Sequence, residues 1–138
     1  MTQNIIEPLD EAGCWDLLEQ HEFGRLAFAV QNDPDIVPLN FCARDQKLYF
    51  RTGAGSKLLA VTINNKVAFE FDVIEDGIAK SVIIYGTVRE MDEETERDFF
   101  EALPLRPWVP THKYHYLEIT PNEINGRLFH LGDAEEED

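Results

Sequence analysis

Cysteine is scarce in this chain. Cys14 and Cys42 are its only two cysteines in 138 residues, and neither CxxC nor metal-ligand spacing relates them. That excludes a disulfide framework and a thiolate metal centre, and both thiols are expected to be reduced, partly buried and structural in a cytoplasmic protein. Positive charge is also short. Twelve Lys and Arg stand against 27 Asp and Glu, for a formal charge of −15. Nucleic acid and anionic membrane surfaces, which call for basic protein faces, are excluded as general partners. No apolar run approaches the roughly 20 residues of a membrane span. The start, Met1 to Pro8, has no basic leader or long apolar stretch, so no targeting segment is expected.

Aromatic residues are plentiful, with nine Phe, and 43% of residues are hydrophobic, so a packed core follows. At this length one domain is expected, over residues 1–131, with an acidic tail at 132–138 ending Asp133-Ala134-Glu135-Glu136-Glu137-Asp138.

The periodicities set out an order of elements. Asp10 caps a helix through Gln20 that carries Cys14, Leu17, Leu18 and His21 on one stripe. Gly24–Val30 alternates as a strand, with Ala27 and Ala29 leaving room on its second face. Asn32-Asp33-Pro34-Asp35 signals a turn, and Ile36–Ala43 a strand that Pro38 confines to an edge or a bulge. Lys47–Thr52 alternates with Leu48 and Phe50 on one face and Tyr49 and Arg51 on the other, and Ser56–Ile63 follows as a short helix. Lys66–Val73 has a clean period of two, Glu75-Asp76-Gly77 turns, and Ala79–Met91 is a long strand. Within it Val82-Ile83-Ile84-Tyr85 is apolar on both faces, as where a partner subunit or the helix Glu93–Leu103 covers the second face. Asp92 caps that helix, and His115–Thr120 and Ile124–Leu131 complete the strands. The sum is an α+β chain with a six- to seven-stranded antiparallel barrel and short flanking helices.

Thr52-Gly53-Ala54-Gly55-Ser56-Lys57 concentrates the functional signal. It reads as strand, glycine turn and helix start, in a region where four of the twelve basic residues (Arg44, Lys47, Arg51, Lys57) gather. A lysine in a first helical turn opposes the macrodipole and needs a partner. Free amides at a glycine-rich helix start form an anion cradle. A bound phosphate, held by Arg51 and Lys57 together, satisfies both. The GxxxxGK[ST] spacing of a P-loop is absent.

Other candidates are weaker. His112 and His115 are three apart in a loop running into a strand, where they point to opposite faces, so no metal site is expected. Ser81 has no nucleophile-elbow context, and Glu70 and Asp72 read as a solvated strand face, so a hydrolase is disfavoured. Trp108, in a loop held by Pro104, Pro107 and Pro110, and Phe41 are each open to two readings, as core or as a ring over a flat ligand.

Pro38-Leu39-Asn40-Phe41, then Phe50-Arg51-Thr52 with Ser56-Lys57-Leu58, then Ser81-Val82-Ile83-Ile84-Tyr85-Gly86, occur in that order. In these strings the chain resembles the pyridoxamine 5′-phosphate oxidase-like FMN-binding split-barrel proteins, above all the short nitroimidazole-resistance-reductase subgroup. The resemblance implies a homodimer with FMN sites at its interface, and an oxidoreductase acting on a small-molecule acceptor. It assigns Arg51, Ser56 and Lys57 to the phosphate, and Thr52 to the ribityl chain or phosphate. Pro38, Leu39, Asn40 and Phe41 would line the ring edge. Phe50 and Leu58 bracket the phosphate segment within the expected set, and Ser81, Ile83 and Trp108 approach from the other subunit or cover the ring. Lys80 stands where relatives often carry tryptophan, and the C-terminal arginine–histidine pattern of true pyridoxamine phosphate oxidases is missing, so vitamin B6 oxidation is not expected. A non-catalytic flavin binder or sensor, and a 5-deazaflavin or haem relative, are the alternatives.

Overall fold

A computed structural model describes residues 6–105 and 114–132. Eight strands form one curled antiparallel sheet in the order β3 (Asp33–Asn40), β2 (Phe23–Val30), β6 (Lys66–Glu75), β7 (Ile78–Glu90), β8 (Tyr114–His130), β5 (Lys47–Gly53) and β4 (Cys42–Arg44), with β1 (Ile6–Leu9) paired to β8. In chain order α1 (Glu11–Glu19) follows β1, a 3-10 turn at Lys57–Thr62 leads from β5 to β6, and α2 (Glu93–Glu101) lies between β7 and β8. No helix among the described residues is long and apolar enough to cross a membrane.

The caps fall where the sequence puts them. Asp10 accepts from the Gly13 amide at 2.8 Å, and Asp92 accepts from the Glu94 amide at 2.7 Å, so each satisfies a donor that its helix leaves free. The alternation sorts the strands as expected. Leu26, Phe50, Phe69, Val82, Ile84, Leu117 and Ile119 are fully buried inside the curl, where each such side chain contributes about 1.5–3 kcal/mol. A second, smaller cluster lies beneath α2, with Cys42, Tyr49, Met91, Phe100 and Leu103 buried together.

Four sequence expectations change. The β2–β3 turn is Gln31-Asn32, both with positive φ (52° and 67°), and Asp33–Asp35 belong to β3. Such a two-residue turn matches the right-handed twist of its strands, and Pro34 and Pro38 are tolerated because β3 is an edge. Ile36–Ala43 is not one strand, because the chain leaves β3 at Phe41 and pairs onward with β5 as β4. The short helix expected at Ser56–Ile63 is present, but of 3-10 type over Lys57–Thr62, with Ser56 and Ile63 as its caps. Finally, the two terminal strands are one. β8 runs through Pro121 with a bulge, since Tyr85 pairs with Glu123 and Gly86 with Pro121. Here Gly86 is required, because a Cβ on it would lie 2.4 Å from the Thr120 carbonyl oxygen.

The curl brings edge strand β3 alongside β5 without pairing the two. This gap is the split in the barrel. It separates Pro38–Phe41 from Phe50–Leu58.

Candidate functional site

At the far end of β5 the chain turns through Gly53–Ser56. Gly55 has φ +84°, and nothing lies within 4 Å of where its Cβ would stand, so the turn is open and glycine-dependent. Ser56 closes it by accepting from the Leu58 amide at 3.1 Å. A cleft of about 640 Å³ opens there, lined by Gln31, Asn32, Asp33, Ser56, Lys57 and Ala60.

The two cations do not converge. Lys57 Nζ lies 2.6 Å from the Asp35 carboxylate on β3. The expected partner of this lysine is therefore present within the chain. Its hydrogen bond draws the Asp35 carboxyl below the usual range, with help from the Ile36 amide, and raises the lysine in turn. Arg51 shares the outward face of β5 with Tyr49, as the alternation predicts, and its guanidinium turns under the chain. It donates to the Leu105 carbonyl at 2.8 Å and to the Tyr116 hydroxyl at 3.1 Å, and it stacks 4.1 Å from the Tyr114 ring centroid. Asp35, Leu105, Tyr114 and Tyr116 were not legible as partners, because each comes from another part of the chain.

Among the described residues, three buried side-chain nitrogens have no hydrogen-bond partner: Trp15 Nε1, Asn40 Nδ2 and Arg51 Nε. Asn40 belongs to β3 at the border of the split, whereas Arg51 Nε is buried with the rest of its guanidinium beside Leu105, Tyr114 and Tyr116. An unmatched buried donor costs about 1–3 kcal/mol, so a ligand bringing acceptor atoms into the split would be favoured. Edge strand β3, paired among the described residues only with β2, leaves the backbone groups of its other side outside that sheet. The residues present therefore fit a flat ligand rich in acceptor atoms.

A family model described as pyridoxamine 5′-phosphate oxidase matches residues 10–128. The chain belongs to that family. A Corynebacterium glutamicum protein provisionally assigned as pyridoxamine 5′-phosphate oxidase has the same fold at a TM-score of 0.87 and 36% identity, covering 96% of this chain and 99% of its own. The FAD binding protein from Mycobacterium smegmatis is also 36% identical, with a TM-score of 0.81 over 91% of this chain and all (100%) of that one. A Bacteroides thetaiotaomicron protein provisionally assigned to 5-nitroimidazole antibiotic resistance shares the fold alone, at 16% identity and a TM-score of 0.70 over 94% of each chain.

Within this family member the other expected site residues divide into four groups. Leu39, Phe41, Phe50, Thr52 and Leu58 are buried. Phe41 packs as a core ring, 4.9 Å from Phe69 in an edge contact, and its amide donates to the Glu22 carbonyl at 2.9 Å. Pro38 is exposed at the edge, beside Arg25 of β2. Ser81 and Ile83 lie on the outer face of the central strand β7, opposite Asp72 and Glu70. They are not part of the split in their own chain. Trp108, like His112, lies outside the described residues. A second cleft of about 480 Å³ adjoins the split, lined by His21, Phe41, Cys42, Leu103 and Leu105. Burial holds the Cys42 thiol above its usual range, which leaves it unreactive. The His21 ring lies 4.5 Å from that of Phe71, tilted by 36°. No group of three or more metal-ligating side chains occurs among the described residues.

The outer sheet face is mixed in character. Pro38, Arg25, Glu70, Ile83 and Asn125 form one cross-strand row, and Ile36, Ala27, Ala68, Tyr85 and Glu123 the next. Arg25 is saturated by Glu70 and by Asp72 at 3.1 Å, so Glu70 and Asp72 are ion-paired rather than merely solvated. Helix α2 does not cover Ile83 and Tyr85. It packs over Tyr49 and Met91 instead, and Tyr85 remains 47% exposed.

Proposed function

We propose that the protein binds a flavin nucleotide in the split between β3 and β5, as a homodimer with its sites at the subunit interface, and acts as an oxidoreductase on a small-molecule acceptor. The observation that carries this reading is the unmatched buried donor Asn40 Nδ2 on the edge strand that borders the split. Family membership and the M. smegmatis relative, described as FAD binding, support flavin as the ligand.

The chain's own groups divide the work. The Asn40 amide donates to a ring carbonyl, and the free edge of β3 holds the ring in plane. The Gly53–Ser56 turn, with Lys57, takes the phosphate common to FMN and FAD. Arg51 reaches that phosphate by leaving the Leu105 carbonyl, and Thr52 marks the path of the ribityl chain. Ser81 and Ile83 of a second copy close the site, with Trp108 in a covering role. The bound flavin supplies hydride and electron transfer, and the protein supplies orientation and exclusion of water.

Titration of purified protein with FMN, FAD and riboflavin tests the reading. Saturable binding is expected for both nucleotides. Lys57→Ala is expected to weaken FMN about tenfold, which is the loss of one charge-assisted contact, while leaving riboflavin unchanged. Absence of saturable binding by any flavin removes the proposal. A haem or deazaflavin band in the spectrum of native protein would assign the site to one of those groups instead.

A further inference from the structure

We propose that Asp35 is a built-in competitor of the cofactor's phosphate for Lys57, and that it sets how readily the cofactor exchanges. The inference rests on the reading above that Lys57 takes a phosphate. Its ground is the geometry of the pair. One Asp35 oxygen accepts from the Ile36 amide at 2.8 Å and the other lies 2.6 Å from Lys57 Nζ. The carboxylate is thus tied to its own strand, whereas the lysine side chain is 73% exposed and free to swing. The lysine is the moving part.

The surroundings sharpen the competition. Asp33 lines the same cleft as Lys57 and Ser56, so an incoming phosphate meets one cation already claimed by one carboxylate, with a second carboxylate close by. Binding must break the Lys57–Asp35 contact and bring a dianion near two negative charges. This arrangement holds affinity down and lets the nucleotide leave, while riboflavin, which carries no phosphate, does not engage it.

The test compares wild type with Asp35→Asn. Removing one charge a few ångströms from a dianion at the surface is expected to tighten FMN and FAD about tenfold, with riboflavin within twofold. Asp33→Asn, which removes a carboxylate that acts on Lys57 through its charge and without a hydrogen bond, is expected to give a smaller gain of about two- to threefold. FMN binding that is unchanged or weaker in Asp35→Asn, with its melting curve intact, overturns the proposal and leaves Asp35 as an anchor for the lysine. Asp35→Ser retains an acceptor for the Ile36 amide, and it replaces the asparagine variant if that does not fold. Inorganic pyrophosphate separates this idea from the flavin reading. If wild type takes no flavin, the flavin reading falls, but tighter pyrophosphate binding by Asp35→Asn still supports the competition. Equal pyrophosphate binding by the two proteins overturns it.

Discussion

Replacing Ile83 and Tyr85 together by glutamate is expected to convert the proposed dimer into a monomer and to weaken the proposed flavin binding by more than about a hundredfold. The two residues lie on the outer face of β7, the middle of the sheet, with Glu70 and Ala68 beside them on β6 and Asn125 and Glu123 on β8. Ile36 on the same face is 61% exposed, and Pro38 continues the surface to the edge of the split. Of the charges near the centre, Arg25, Glu70 and Asp72 already neutralise one another in part, and Glu123 and Arg127 flank it on β8. The surface thus has an apolar middle bearing a tyrosine, as in the buried centres of protein interfaces. Two new carboxylates beside Glu70 and Glu123 would be buried without partners in a dimer, whereas in a monomer they remain in water at little cost. Size-exclusion with light scattering reads the dissociation, and FMN titration reads the coupled loss. A wild-type monomer that binds flavin fully, or a variant that remains a dimer, refutes the interfacial site. Retained cooperative melting in the variant separates dissociation from unfolding.

Glu118→Ala is expected to cost about 2–3 kcal/mol, lowering the melting temperature by about 10 °C at fixed protein concentration. Glu118 is a buried carboxylate in the row Tyr49–Glu118–Arg89 across β5, β8 and β7. It accepts from the Tyr49 hydroxyl at 3.0 Å and from Arg89 Nε at 2.8 Å. Burial, and then the Glu118 carboxylate, push Tyr49 well above the usual phenol range, so the tyrosine stays a donor at all working pH. Truncating Glu118 strands that hydroxyl in the small cluster beneath α2. Glu118→Gln, which keeps an acceptor, is expected to cost about half as much. A loss below about 0.5 kcal/mol for the alanine variant, the usual range for surface changes, would show that water or a neighbour satisfies both donors.

The same arginine makes acid stability informative. Arg89 holds Glu96 through two hydrogen bonds at 2.9 and 2.6 Å. These, with the Asp92 amide, lower the Glu96 carboxyl from 4.5 to about 2. A carboxylate depressed in the folded state contributes stability that is complete above its unfolded value and disappears as pH falls through the folded one. Melting temperature should therefore decline between about pH 4.5 and pH 2, and Glu96→Gln should flatten that part of the decline. An unchanged acid profile in Glu96→Gln would assign the loss to other carboxylates.

The local signals in this chain decided a great deal. Asp10 and Asp92 cap because a short acceptor placed before an apolar stripe answers free amides one turn away. Asp76-Gly77 turns because both residues accept positive φ, 53° and 75° here. Val67, Phe69 and Phe71 face inward because strand side chains alternate. Such information is complete within a few neighbouring residues, and so it reads correctly from sequence, as does the family from its ordered strings. Tertiary structure alone decided the rest. Pro121 reads as a strand breaker, yet β8 passes through it, because between the stretches that pair with β5 and β1 no neighbour calls for its missing N–H. Lys57 reads as a cation awaiting a phosphate, yet Asp35 answers it from an edge strand that only the curl of the sheet brings near. Arg51 turns under the chain because Leu105, Tyr114 and Tyr116 converge there. Charge partners and open sheet faces are properties of distant segments meeting in space, and residue spacing along the chain does not encode them.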